Sequence, residues 1–371
     1  MRGRMGQLAW PLWLVILLWP LAGPIWSAGA AGAALVVTLA HRFFIKPMAG
    51  RVSFSAMVLW RLKWPKIFWP ILACLLLLLP LVLNRYFLDV AITAGIYIAL
   101  ALGLNIIVGL AGLLVLGYIA FYAAGAYSYA LLSTHLHLNF FIALPLGAAL
   151  AVLLGLALGL PTLRLRGDYL AIVTLGFGEI VRLVLNNWDA VTGGPNGIMH
   201  IAKPSLAGLG LGRPLHLYYI VLGLSLLTAF LIHRLNSSRL GRALVAMRED
   251  ESAARACGVD TVRLKLLAFM LSAAVAGGMG VVFAAKMGFV SPESFTFWES
   301  IMVLCMVVLG GMASIPGVIL GAVALIVLPE AFRQLHHLRM LIFGASMVAM
   351  MIFRPQGLWP SQRRKMEMEE G

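Results

Sequence analysis

Apolar runs long enough to cross a lipid bilayer recur along the whole sequence. A membrane helix needs about 20 mostly apolar residues, and this chain is 62% apolar and only 11% charged. A soluble chain carries about a quarter charged residues, which excludes a soluble enzyme built on one large core, and the apolar content excludes a disordered chain. We predict an all-α, polytopic helical membrane protein with about 10–12 membrane helices, some of them partial spans. The runs cover residues 8–40, 67–83, 90–108, 110–132, 141–163, 169–185, 216–232, 266–286, 300–328 and 340–353.

Basic side chains give the chain a net charge of +14, and their distribution predicts its orientation. Lys and Arg collect in cytoplasmic loops, and the segment 41–66 is rich in both and holds no acidic residue. We expect this segment and the N-terminus in the cytoplasm, which requires a helical hairpin within 8–40; the alternative is a signal peptide cleaved near Ala30. Continuing the count places the loop 233–265 and the C-terminus in the cytoplasm as well. Because topology accounts for the charge, no nucleic-acid partner is expected.

Short flanks surround one large membrane domain, since no long polar domain interrupts the runs. We assign residues 1–66 to an N-terminal hydrophobic hairpin plus the basic cytoplasmic segment, and residues 67–354 to the main membrane domain. Residues 355–371 form a predicted cytoplasmic tail, and the basic residues 363–365 in it are expected to contact lipid headgroups.

Glycine interrupts two of the apolar stretches. Asn105 and several glycines lie within 90–132, where small residues suit close helix packing or a broken helix whose freed backbone groups line a cavity. Asn105 then hydrogen-bonds either a neighbouring helix or a ligand. The run 300–328 contains Gly310-Gly311 and Pro316-Gly317, so it is predicted to form two elements.

The predicted cytoplasmic loop between the spans 216–232 and 266–286 is the most informative polar segment. Ser238 and Asp250 are suited to cap two short helices, and Gly258 is suited to end the second. The following membrane helix then begins at Asp260 or Thr261. Two short amphipathic helices indicate a docking surface for a soluble partner, and a solvated connector is the alternative.

Two charged residues lie within the predicted span 169–185. Glu179 and Arg182 are three residues apart, so on a helix they share a face and can pair. Charge at membrane depth usually faces a pathway or a partner helix, and a structural ion pair near the end of the span explains it equally well. Glu179 is the acidic residue that lies clearly within a span. The preceding Gly176 and Gly178 loosen the helix or let it pack closely.

A glycine-rich turn follows on the predicted external side. It contains Gly-Pro and Asn-Gly, dipeptides typical of turns, and the local pattern favours simple chain reversal. A functional interpretation places four of its residues at the external mouth of a path, namely Thr192, Gly193, Gly194 and Asn196.

The sequence lacks the motifs of several enzyme classes. It contains no Gly-x4-Gly-Lys-Ser/Thr phosphate loop, no His-Glu-x-x-His zinc motif and no Gly-x-Ser-x-Gly nucleophile elbow. Cys74, Cys257 and Cys305 show neither a disulfide framework nor metal-ligand spacing. The absence of these motifs argues against an enzyme, and we expect neither a cofactor nor a bound metal. Among transport proteins, a secondary transporter driven by an ion gradient is one alternative, and it would need a relay of buried carboxylates.

Several sequence blocks, in one order, resemble a known family. They lie between about residues 85 and 360 and include Val308-Leu-Gly-Gly311 and Phe353-Arg-Pro-Gln-Gly-Leu358. The family comprises the membrane permeases of ABC importers for branched-chain amino acids, and the chain is similar to the larger of the two paired permeases. The resembling blocks are 103–118, 163–182, 192–198, 288–297, 308–311 and 353–358.

This resemblance implies a helical permease domain over 67–354 in the bacterial inner (plasma) membrane, crossing it many times, with both termini in the cytoplasm. It implies ATP-driven import of branched-chain or related hydrophobic amino acids by alternating access, coupled through the loop 233–265. The implied partners are a second paired permease, two cytoplasmic ATPase subunits, a periplasmic amino-acid-binding protein and membrane lipid.

The resemblance also implies roles for individual residues. The charged run that begins at Arg248 matches the family's coupling loop, although Ser252 stands where the family has its first Ala. The implied ATPase contacts are Arg248, Glu249, Asp250, Glu251, Ala254 and Gly258. The candidates for the substrate path are Asn105, Glu179, Gly176, Gly178, Arg182, Thr192, Gly193, Gly194 and Asn196.

Overall fold

A computed structural model describes residues 77–80, 84–163, 165, 167–206, 209–210, 212–331, 344, 348 and 357–359. The predicted hairpin within 8–40, the basic segment 41–66, most of the runs 67–83 and 340–353, and the basic residues of the tail lie outside these residues. The chain divides into two units, Met1–Leu77 and Leu78–Gly371, and the elements below belong to the second.

The long elements among the described residues are helices. The strands are two-residue pairs: β1 (Ile198–Met199) is antiparallel to β4 (Phe289–Val290), and β2 (Ser205–Leu206) is antiparallel to β3 (Leu209–Gly210). The helices are α1 (Arg85–Asn105), α2 (Ile119–His135), α3 (Phe140–Thr162), α4 (Asp168–Asn187), α5 (Asp189–Thr192), α6 (Pro214–Ser237), α7 (Arg239–Glu249), α8 (Glu251–Ala256), α9 (Thr261–Met287), α10 (Phe297–Gly310) and α11 (Ile315–Ala331).

Apolar helices of membrane-spanning length confirm the predicted all-α, polytopic membrane protein. The described residues hold five such stretches: Arg85–Leu110, Phe140–Thr162, Pro214–Ser237, Thr261–Met287 and Pro292–Gly310. The total of about 10–12 spans includes runs outside the described residues and stays a prediction.

The centre of the fold is the crossing of α2, α3 and α9. Residues along almost the whole of α2 are buried, as expected for a helix that is apolar on all sides. Gly125 of α2 lies so close to the Gly277 carbonyl of α9 that a Cβ would collide with it, and Gly280 approaches the Tyr122 carbonyl in the same way. Small residues therefore bring these helices together, as is usual in membranes where packing drives association.

The run 300–328 forms two elements, as predicted. α10 ends at Gly310 and α11 begins at Ile315, and Gly310 and Gly317 bring the two backbones into contact beside the turn. The backbone N–H of Leu358 donates to the Leu309 carbonyl at 2.8 Å, so the described residues 357–359 pack against the end of α10.

The run 110–132 is not helical throughout. α1 ends in a π-helical turn, Ile106–Leu110, and residues 111–118, here called the unwound segment, lack helical structure before α2 begins at Ile119. Backbone groups freed inside a membrane domain need other partners. The N–H of Leu116 donates to Thr174 Oγ1 at 3.0 Å, and the N–H of Ile119 donates to Ser300 Oγ at 3.1 Å. Hydroxyls from α4 and α10 thus stabilise the break.

Contacts between loops define two ends of the described bundle. At one end β1 pairs with β4 and Lys286 Nζ lies 3.0 Å from Asp89 Oδ1. At the other end Arg248 of α7 donates to the Gly109 carbonyl, and Lys265 near the start of α9 donates to the Leu163 carbonyl. The turn predicted on the external side and the loop 233–265 predicted in the cytoplasm therefore lie at opposite ends of the bundle, while the direction of each end stays a prediction.

Candidate transport path and coupling elbow

Side-chain caps shape the polar connection between α6 and α9, residues 238–260, here called the elbow. Ser238 Oγ accepts from the Gly241 N–H at 3.1 Å, and Asp250 Oδ1 accepts from the N–H groups of Ser252 and Ala253 at 2.7 and 3.0 Å. Each cap satisfies donors that the first helical turn leaves without a partner. The predicted caps of both short helices are confirmed.

The end of the elbow also follows the prediction. Gly258 has a positive φ of 82°, the left-handed conformation that ends a helix and that glycine adopts at least cost. The next helix begins at Thr261 with Asp260 as its cap, and Asp260 Oδ1 accepts from the Arg263 N–H at 3.1 Å. Of the two predicted starting residues, Asp260 is therefore the cap.

One face of the elbow packs against the bundle. Leu244, Met247 and Ala254 are buried. Glu251 lies on the same side, 15% exposed, and its Oε1 is 2.9 Å from Nζ of Lys265 in α9, a side chain only 5% exposed. Oε1 of Glu251 also lies 3.0 Å from Nη2 of the exposed Arg255. Glu251 thus joins α8 to α9 from within.

Arg248 attaches the elbow to the end of α1. Its Nη1 donates to the Gly109 carbonyl at 2.9 Å, and its Nε donates to Glu249 Oε1 at 2.9 Å. Its aliphatic part packs against Gly112, where any side chain would collide with it. The guanidinium therefore holds the point at which the π-helical turn passes into the unwound segment.

The opposite face of the elbow is open to solvent. Ser252, Ala253, Arg255, Ala256 and Cys257 are all exposed. Of the six implied ATPase contacts, Glu249, Asp250 and Gly258 are exposed, whereas Arg248 and Glu251 are partly buried and Ala254 is buried. The solvent-exposed residues thus run along α8 from Ser252 to Cys257, apart from the buried Ala254.

The charged pair in α4 is formed. Arg182 Nη2 lies 2.8 Å from Glu179 Oε2, and the two side chains are 30% and 34% exposed. α4 runs unbroken past both glycines. Gly178 packs against Gly117 of the unwound segment, whereas a Cβ at Gly176 would meet no other atom.

The predicted turn lies beyond α4, at the β1–β4 end. Thr192 is buried, and its Oγ1 donates to the Leu185 carbonyl at 2.6 Å and accepts from the Gly194 N–H at 3.3 Å. Gly193 and Gly194 have positive φ, and the 3₁₀ turn Gly194–Asn196 leads into β1. The Thr192 hydroxyl thus ties the turn to the end of α4.

Asn105 lies at the elbow end of α1. It is buried, and its Oδ1 accepts from the Ala313 N–H at 2.9 Å. That bond fixes α1 to the turn between α10 and α11. Asn105, the Glu179–Arg182 pair and the turn around Thr192 lie on separate elements from one end of the bundle to the other, so the structure does not bring the nine path candidates into one site.

Comparison with known proteins decides which kind of protein carries this elbow. Residues 86–351 match the family described as the permease component of the branched-chain amino acid transport system. The chain belongs to this family. All the elbow residues and all nine path candidates lie within the matched range, so both sets belong to the permease domain.

Two similar proteins extend the match over most of the chain. The chain is 50% identical over 315 residues to the high-affinity branched-chain amino acid transport system permease protein LivM of Salmonella typhimurium, which covers 79% of this chain and 74% of the relative. It is 49% identical to LivM of Escherichia coli K12, covering 82% and 77%. A probable LivM of Methanocaldococcus jannaschii is 27% identical over 238 residues, covering 58% and 68%. No solved structure matches the chain.

Membership of the permease family makes the chain a transport component rather than an enzyme, and it does not favour the secondary-transporter alternative. Within the described residues, no group of three or more His, Cys, Asp or Glu side chains is placed to hold a metal ion.

A second acidic residue lies within a membrane helix of this permease, outside the predicted apolar runs. Glu299 lies just outside the predicted run 300–328, but α10 begins at Phe297, and Glu299 Oε2 accepts a hydrogen bond from the Tyr97 hydroxyl of α1 at 2.5 Å. The statement that Glu179 is the acidic residue clearly within a span is therefore incomplete. The signal was present as Thr296-x-x-Glu299, a pattern that starts helices.

Proposed function

We propose that this permease is the membrane subunit of an ATP-driven importer for branched-chain or related hydrophobic amino acids. It works with a second permease, two cytoplasmic ATPase subunits and a periplasmic amino-acid-binding protein. Its elbow, its N-terminus and its C-terminus face the cytoplasm. The names of the similar proteins support the substrate class, and the sequence supports the external energy source because it lacks a nucleotide-binding loop.

The observation that carries this proposal is the two-sided elbow. Its outer face is exposed, while on its inner face Arg248 donates a hydrogen bond to the Gly109 carbonyl and Glu251 pairs with Lys265. A partner that moves the outer face therefore acts on two places at once, the end of α1 and the start of α9. Contacts of this kind pass a rigid-body movement to packed helices.

Alternating access follows if ATP binding favours one arrangement of the bundle. A ligand shifts an equilibrium only by its difference in affinity for the two states, so ATPase closure must grip the elbow differently in the outward-open and inward-open forms. The unwound segment is the element that would respond first, because it starts beside Arg248 and is held by single hydroxyls from two other helices.

The candidate path residues fall into two groups, a partly exposed ion pair and residues whose hydrogen bonds go to the backbone. The Glu179–Arg182 pair is partly exposed and is proposed to face the path or the partner permease. Asn105 and Thr192 are bonded to backbone groups, so we propose that they, with the turn glycines and Asn196, hold the two ends of the path in shape.

The test reconstitutes the complete importer in liposomes and measures uptake of radiolabelled leucine with and without ATP inside. A256W places a bulky ring on the exposed face of α8 and is expected to abolish uptake, because the ATPase no longer fits. A256S, a small change at the same position, should transport normally. Normal uptake by A256W would contradict the docking role of the elbow. Uptake that depends on a proton gradient and is unaffected by ATP would contradict the proposed function.

A further inference from the structure

Glu299 places a carboxylate inside the membrane domain. It lies in the first turn of α10, and it bonds to Tyr97, which is 12 residues beyond the start of α1 at Arg85. At about 1.5 Å rise per residue, Tyr97 lies about 18 Å along that helix. Ser300, the next residue, is buried and bonds to the N–H at the start of α2. The carboxylate therefore lies between three helices, away from both ends of α1.

The described residues offer Glu299 a neutral partner and no cation. Its hydrogen-bond donor is the Tyr97 phenol, and no Lys, Arg or His of the described residues forms an ion pair with it. Glu179 pairs with Arg182, and the partly buried Glu251 pairs with Lys265. A charge removed from water is costly unless it is paired, and among the described residues the Glu299 carboxylate has no cationic partner.

Helix capping does not account for the direction of this side chain. Thr296-x-x-Glu299 is a capping-box pattern, in which the Glu side chain turns back to the start of its own helix. Thr296 makes no side-chain cap bond, and Glu299 reaches across to α1 instead. A carboxylate in the first turn is still stabilised by the positive end of the helix dipole, and this stabilisation does not require a ligand.

An aromatic cluster lies one turn before Glu299. Phe295 is buried, and its ring centroid lies 5.5 Å from that of Tyr122, 5.9 Å from that of Phe283 and 6.1 Å from that of Tyr127. Tyr127 is 3% exposed, and its hydroxyl has no hydrogen-bond partner among the described residues. Apolar walls with a few polar groups are typical of small-molecule sites.

We propose that the Glu299 carboxylate binds the α-ammonium group of the amino acid in transit, with Tyr97 holding the carboxylate in place. The ammonium supplies the cation that the described residues lack, the aromatic cluster offers apolar contacts to a branched side chain, and the Tyr127 hydroxyl, unpartnered among the described residues, can donate to the substrate carboxylate. This inference rests on the proposed function, because it assigns part of the substrate path.

The experiment compares two ligands that differ in the ammonium alone. Purified importer without its binding protein is tested for equilibrium binding of radiolabelled leucine and of its 2-hydroxy analogue. The wild type should prefer leucine by about ten- to a hundredfold, the usual worth of a charged hydrogen bond. E299Q should bind the two ligands almost equally, whereas E293Q, which changes an exposed Glu nearby, should keep the full preference.

The outcomes separate the two proposals. If the wild-type importer neither binds leucine nor imports it with ATP, the proposed function fails. If the wild type imports leucine and E299Q keeps the full preference, the ammonium site alone fails; Gln resembles a protonated carboxyl, so that result would also indicate a neutral Glu299. If E299Q does not assemble, Y97F keeps the charge and removes its support. If Y97F lowers the preference for leucine over its 2-hydroxy analogue severalfold, the result supports the ammonium site at Glu299. An unchanged preference in Y97F overturns it.

Discussion

The ion pair between the elbow and α9 gives the sharpest test of the structure. E251Q removes the negative charge at position 251 and leaves the Lys265 ammonium, 5% exposed, without an anionic partner among the described residues; the Leu163 carbonyl at 3.5 Å is neutral. K265M leaves Glu251 paired with Arg255, whose side chain is 58% exposed. The two single changes should therefore differ in cost, although they break the same pair.

The loss of stability in each variant depends on which charged side chain remains without its partner. Removing one partner of a buried pair costs about 3–5 kcal/mol because the other charge stays uncompensated. We expect about 3 kcal/mol for E251Q, because the Gln amide oxygen still accepts a hydrogen bond from Lys265, and about 1 kcal/mol for K265M. The double variant should cost about 1–2 kcal/mol, which leaves a coupling energy of about 2–3 kcal/mol.

The measurement is the free energy of unfolding of the purified permease in SDS–detergent micelles, followed by circular dichroism. R263Q is the matched control, because it breaks the pair with Asp260, in which the side chains are 88% and 50% exposed, and exposed pairs contribute less than about 1 kcal/mol. If E251Q costs no more than R263Q, or the coupling energy is below about 0.5 kcal/mol, the pair does not join α8 to α9 as described.

Two further predictions concern helix packing and orientation. G125A should destabilise the permease by about 1–3 kcal/mol in the same assay, since its Cβ collides with the Gly277 carbonyl. G278A is the control and should leave the stability unchanged, because a Cβ there meets no other atom. Equal effects of the two substitutions would contradict the close crossing of α2 and α9. Cys257 is exposed on the elbow, so in a variant with the other two cysteines replaced by serine, an impermeant maleimide should label it in inside-out vesicles and not in intact cells. Labelling in intact cells would invert the predicted topology.

The sequence alone determined the features that depend on neighbouring residues. The apolar runs predicted a helical membrane protein because a bilayer accepts few other backbones. The caps at Ser238, Asp250 and Asp260 were predictable because a cap bonds to backbone groups two or three residues away. The family blocks predicted a permease in the same way, as contiguous stretches of sequence.

Only the tertiary structure decided how distant residues meet. Tyr97 and Glu299 are 202 residues apart, and Asn105 and Ala313 are 208 apart, so no local pattern joins them. The run that contains the unwound segment is apolar enough for a helix, and its break depends on hydroxyls that Thr174 and Ser300 bring from other helices. Hydropathy measures how well a stretch tolerates lipid, whereas the path of a backbone through the bundle depends on which partners the other helices supply.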